Sequence, residues 1–151
     1  MFFNHHHRLS SSSIHRSARA FAGAVLLAAS LTTGVFASSG VTVAPNPQAG
    51  NILVDDHGMT LYRYTPDQPN SSTCYDGCAR AWPPVLVDSV PTVQDATLAA
   101  GLGIAPRTDG TQQLTFQGSP LYLYIGDTKP GETTGQASDG VWFVVNVPSA
   151  A

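Results

Sequence analysis

The sequence predicts a mainly β domain made of two tandem repeats, and three observations carry that reading. The motif Tyr-x-Tyr-x-x-Asp occurs twice, at Tyr62–Asp67 and at Tyr122–Asp127. The chain matches itself at a fixed offset of sixty. Fourteen glycines and eleven prolines favour many turns and short strands over long helices. Each repeat reads as a β-hairpin plus a strand. Two such units facing each other about a pseudo-twofold give about six strands, in a sandwich or partly open barrel, with one or two short helices. A lone hairpin buries too little apolar surface to stand in water, so the two copies are expected to share one core.

The self-match runs from Gly50 to Val87 against Gly110 to Val147 without a gap. It contains ten identities in 38 positions, where chance supplies about two or three. The identities include rare types: Tyr62 with Tyr122, Tyr64 with Tyr124, Asp67 with Asp127, and Trp82 with Trp142. Residues 50–87 and 110–147 are therefore the two repeats of a single domain, 50–148.

Taken in order, residues 1–37 read as an export signal. Arg8, Arg16 and Arg19 form a positive region, Ala20–Leu31 an apolar one, and Val35-Phe36-Ala37 a small-x-small cleavage site. The competing reading is an uncleaved anchor, because Ala20–Ala44 carries no charge and could cross a bilayer of roughly 30 Å. Threonine, serine and glycine dilute that run, which favours cleavage and a mature form without a transmembrane span. Residues 38–49, with Pro45 and Pro47, read as a tether or an edge strand. Ile52–Val54 is a short strand, Asp55–Gly58 a turn, and Met59–Tyr64 a second strand. Leu114–Phe116, Gln117-Gly118 and Pro120–Ile125 repeat that hairpin. Third strands follow at Val85–Val87 and Val141–Val147. Helix is confined to Thr92–Ala100 and a turn or two within Tyr75–Ala81, stopped by Pro83-Pro84.

Composition excludes some functions. The segment after the signal has four cations, Arg63, Arg80, Arg107 and Lys129, against ten acids. A net charge of −6 with scattered cations excludes a phosphate-binding surface, so no nucleic-acid partner is expected. Cys74 and Cys78 both follow the signal, and in an oxidising compartment such a pair reads as a disulfide. Regular helix places residues four apart poorly for that bond, so a turn or helix end is expected there. Zinc is excluded for want of ligands, since His57 is the one histidine after the signal.

Gly58–Asp67, followed by Cys74-Tyr75-Asp76-Gly77-Cys78 and Trp82-Pro83-Pro84, resembles the bacterial "secreted repeat of unknown function" family. Pro120–Asp127 with Gly140-Val141-Trp142 resembles its other half. Members are predicted lipoproteins with a Tyr-x-(Phe/Trp/Tyr)-x-x-Asp motif. The resemblance spans roughly Gly50 to Val147 and implies an exported protein without assigning an activity. This chain lacks the cysteine that a lipoprotein carries at its cleavage site.

Three functional readings follow. Tyr62, Tyr64 and Asp67, with Tyr122, Tyr124 and Asp127, could form a duplicated ligand site for a cell-envelope component or protein partner, aromatic faces with a carboxylate at the rim. The same residues could instead be core rings and turn caps, and their repetition in equivalent places favours that role. Trp82 and Trp142 likewise read as core. His57 and Met59 could ligate copper, whose reduced form accepts thioether sulfur, in a redox accessory protein. Asp67 and Asp127 could serve a hydrolase. Residues related by a repeat share an environment, however, whereas acid and base roles need unlike ones. The expectation is a non-catalytic module without a cofactor, in the periplasm, envelope or medium.

Overall fold

The computed structural model describes residues 40–148. The expected signal at 1–37 lies outside the described residues. Strands β1 (Val41–Asn46) and β2 (Gly50–Asp55) form an antiparallel hairpin. Strand β3 (Tyr62–Tyr64) pairs with the distant β7 (Trp142–Val144). Strands β4 (Leu102–Pro106), β5 (Gln112–Phe116) and β6 (Ser119–Pro120) make a third sheet. Two short helices, α1 (Asp76–Ala81) and α2 (Ala96–Gly101), and a 3-10 turn at Ser138–Gly140 join these strands. Among the described residues the protein is mainly β, as expected, with three small sheets and no closed barrel.

The pseudo-twofold passes between the two motifs. Tyr62 N–H donates to the Tyr122 carbonyl at 2.8 Å, and Tyr122 N–H returns a bond to the Tyr62 carbonyl at 3.0 Å. Around that ladder the third strands are exchanged. Val145 N–H donates to Leu61 and Leu53 N–H to Val145. Across the axis, Val85 N–H donates to Leu121 and Leu114 N–H to Val85. Each hairpin thus takes its third strand from the other repeat. Neither repeat satisfies its own backbone, and an unmade buried bond costs about 1–3 kcal/mol. The repeats interlock.

The structural register corrects the gapless offset. Leu53 and Leu114 occupy matching places, as do Asn51 and Gln112, an offset of 61. The cause is the hairpin turn. Copy two uses the two residues Gln117 (φ 50) and Gly118 (φ 78) between β5 and β6, both at the positive φ that matches strand twist. Copy one carries one residue more, with Asp55 N–H bonded to the Met59 carbonyl. Residues upstream of that turn shift by one. The strand β4 also lies in a stretch for which the sequence predicted none, and α2 begins later than expected, at Ala96, where Asp95 Oδ1 accepts from Leu98 N–H at 2.8 Å.

Alternation sorts the central strands into two cores, as period two requires. Leu61, Leu121, Val85 and Val145 join Leu53, Leu98, Leu114 and Phe116 in a mostly aliphatic cluster. Tyr62, Tyr122, Trp82 and Trp142 form an aromatic cluster on the opposite face, with Ile52, Val54 and Cys74.

Candidate functional site

The motif tyrosines differ by position. Tyr62 and Tyr122 are completely buried, whereas Tyr64 and Tyr124 are half-buried. The Tyr62 hydroxyl donates to Asp127 Oδ2 at 2.7 Å, and the Tyr122 hydroxyl to Asp67 Oδ2 at 2.6 Å. Each tyrosine therefore binds the aspartate of the other repeat. The second carboxylate oxygen holds the following loop. Asp67 Oδ1 accepts from Thr73 N–H at 2.7 Å and from its hydroxyl at 2.8 Å. Asp127 Oδ1 accepts from Thr134 N–H at 2.9 Å and from the Thr134 hydroxyl. The sequence match paired Thr73 with Thr133. Loop two has one residue more before its threonine, so Thr134 takes the role.

Burial raises the Tyr62 hydroxyl pKa far above the ordinary tyrosine value, and its bond to Asp127 raises it further. Burial and then the Asp67 bond do the same to Tyr122. Both phenols stay neutral donors across the physiological range.

Between the motifs, four rings stack in a column: Tyr64, Trp142, Trp82 and Tyr124. The two indoles are 4.0 Å apart and within 3° of parallel, and each outer tyrosine lies 4.2 Å from its indole. Tyr62 and Tyr122 close the column edge-on, at 5.3 Å from Trp82 and 5.1 Å from Trp142. Offset and edge-on pairs of this kind add about 0.5–1.5 kcal/mol each beyond area burial. Gly135 permits the close approach, since a Cβ there would lie 2.6 Å from the Trp82 ring.

The post-motif loops are braced differently. Cys74 and Cys78 form a disulfide with Cα atoms 5.3 Å apart. Cys74 precedes α1 and Cys78 lies in its first turn, the helix end that the spacing called for. In loop two, Glu132 Oε2 accepts from Thr128 N–H at 2.6 Å and Lys129 N–H at 3.0 Å. Those N–H bonds, Thr128 first, lower the Glu132 pKa.

Sequence reasoning missed Arg107, Ser72 and Gln113. The buried Arg107 guanidinium donates to Ser72 Oγ at 2.9 Å, Gln113 Oε1 at 2.7 Å and the Cys74 carbonyl at 2.9 Å. Ser72 Oγ lies 2.7 Å from the Tyr122 hydroxyl, which joins Arg107 to the motif. The arginine also lies over the Tyr75 ring at 4.2 Å. Copy two's hairpin supplies this arginine, and copy one has Asn46 at the matching turn, so no repeat match could reveal it. The sole signal was a cation among only four after residue 37.

His57 is exposed, with Nδ1 2.9 Å from Asp56 Oδ1 and 3.7 Å from Asp55 Oδ2. The structure groups it with these two carboxylates, ligand atoms within 4.8 Å of one another. Met59 lines a surface cleft.

Two clefts flank the ring column and are related by the pseudo-twofold. One, of about 150 Å³, is lined by Arg63, Tyr64, Thr65 and Asp67 from β3 and its sequel, with Gln117 and Ser119 from the opposite turn. The other, of about 200 Å³, is lined at matching places by Leu123, Tyr124, Ile125 and Asp127, with Met59 and Thr60. The frame is the same and the lining differs: mixed and more polar in the first, apolar in the second, where Ile125 is 67% exposed.

Among the described residues no helix is long and apolar enough to cross a membrane. Comparison with curated proteins finds no match, and comparison with solved structures finds none either. A family model described as "secreted repeat of unknown function" matches residues 44–86 and 103–146, one segment for each half of the interlocked pair. With both segments in register with the two motif copies, the chain belongs to this family of secreted repeats.

Proposed function

We propose that the protein is an exported, non-catalytic module of the cell envelope or medium, with a binding or structural role. The observation that carries this reading is the reciprocal pairing of Tyr62 with Asp127 and Tyr122 with Asp67. The residues with the most chemistry to offer are engaged with one another across the repeat interface. Two carboxylates that each accept from a tyrosine and a threonine occupy like settings, and an acid–base pair requires unlike ones. The motif builds the frame, and the frame holds two surface clefts whose linings are free to differ. A secreted family and a disulfide-braced loop suit a protein that must persist outside the cell.

The test is a screen of the purified protein against glycans, peptidoglycan fragments and protein partners, run beside glycoside and ester substrates. Binding without turnover is expected. Turnover abolished by Asp67→Asn would overturn the non-catalytic reading. Micromolar copper binding that His57→Ala removes would replace it with the redox accessory role.

A further inference from the structure

Resting on the reading of a binding module, we infer that the polar cleft around Arg63 is a binding site for a saccharide carrying a carboxylate. The apolar cleft across the pseudo-twofold is not. Internal comparison isolates the site. The frame residues Tyr64, Asp67 and Gly118 have identical partners in Tyr124, Asp127 and Gly58, yet the lining between them changes character. Leu123 stands where the polar cleft has Arg63, Ile125 where it has Thr65, and Met59 where it has Ser119.

The polar cleft also offers groups without protein partners. Among the described residues, Arg63 forms no ion pair, and its one side-chain interaction is with the Phe143 ring, 5.4 Å from the guanidinium carbon. That contact sets the guanidinium over an apolar support on an exposed residue. A second cleft of about 240 Å³ shares Arg63, Gln117 and Ser119 with the first and continues past them to Asn146. Arg63 therefore stands where two adjoining depressions meet. Gln68, Gln117 and Ser119 make no side-chain hydrogen bonds among the described residues.

The chemistry selects the ligand class. A planar guanidinium pairs a carboxylate through two parallel bonds. Amide and hydroxyl side chains donate to and accept from ring hydroxyls. Tyr64, half-buried at the end of the ring column, supplies an amphipathic edge. Asp67 lines the same cleft, but its oxygens already accept from Tyr122 and Thr73. It is a wall, and the ligand's own carboxylate belongs at Arg63.

The experiment titrates the protein with hexuronate and N-acetylmuramate oligosaccharides and with neutral glucose or N-acetylglucosamine counterparts, by calorimetry and amide shift mapping. The acidic ligands should bind more tightly and shift residues 63–69 and 117–119. Arg63→Gln should weaken them roughly tenfold, to the level of the neutral counterparts, while Arg63→Lys recovers part of the loss. Ile125→Ala, in the other cleft, should change nothing. Arg63 is exposed, so its variants keep the fold, which the unfolding midpoint checks. Equal binding of neutral and acidic ligands, shifts confined to the Met59–Ile125 cleft, or no binding of any acidic member at millimolar concentration would overturn the inference. Hydrolysis of a bound oligosaccharide would instead overturn the non-catalytic reading and leave this site standing.

Discussion

Loop one, after Asp67, is closed by a covalent bond between Cys74 and Cys78, whereas loop two, after Asp127, is closed by the Glu132 carboxylate on Thr128 and Lys129 N–H groups. Both loops nonetheless start from the same clamp, an aspartate that accepts a tyrosine from the other repeat and a threonine from its own loop. What repeats is the part that each half needs from the other. What differs is local: the brace, the cleft lining, and the Arg107–Ser72 network beside Tyr122 alone. Duplication constrains the interface because both halves must fit it, and it leaves each periphery to change by itself.

Substitutions in the shared part should act alike in both halves. Trp82→Ala and Trp142→Ala each remove a central ring of the column and should each cost about 3–5 kcal/mol. Denaturant unfolding checks this, and a loss confined to one indole would break the symmetry of the account. Alkaline pH should also act on both halves. The folded-state pKa values of Tyr62 and Tyr122 are raised, so their stabilising effect is complete below the unfolded value near pH 10 and declines as pH climbs above it. Each should cost about 1.4 kcal/mol per pH unit beyond that point. Phenolate absorbance should show these two of the five tyrosines ionising only as the fold opens.

Perturbing the braces should separate the halves. Reducing Cys74–Cys78 releases a short loop and should cost about 2 kcal/mol by the chain-entropy account. Hydrogen exchange should then rise in residues 68–78 and leave 128–135 protected. The reverse is expected in acid, with the smallest effect. Glu132 has a lowered folded pKa, so its support is complete above the usual glutamate value near 4.3 and disappears as pH falls through the folded value. Protection factors in residues 128–135 should drop there while the disulfide loop holds, and Glu132→Gln should remove the pH dependence.

The sequence made legible whatever the duplication made redundant. Tyr62, Tyr64 and Asp67, with their copies, stood out because both halves must meet at one axis, and period two sorted Leu61 and Leu121 from the tyrosines. The exchange of third strands was not legible, because Val85 and Val145 fit either hairpin equally well by pattern. Thr134 was hidden by a one-residue difference in loop length. Strand β4, with Gly103, Ala105 and Pro106, has weak strand propensity and forms because β5 presents a ladder to it. Arg107 lay outside the repeat logic, since copy one has Asn46 in its place and its partners Ser72 and Cys74 come from a distant segment. The polar cleft was invisible for the same reason: Arg63 and Gln117 lie 54 positions apart and meet only through the Tyr62–Tyr122 ladder.

The central claim is that each repeat's tyrosine is clamped by the other repeat's aspartate. A double-mutant cycle measures this directly. Tyr62→Phe combined with Asp127→Asn should show a coupling energy of about 1 kcal/mol or more, and Tyr62→Phe combined with Asp67→Asn should be additive within about 0.5 kcal/mol. Coupling within a repeat, with additivity across the pair, would contradict the interlock.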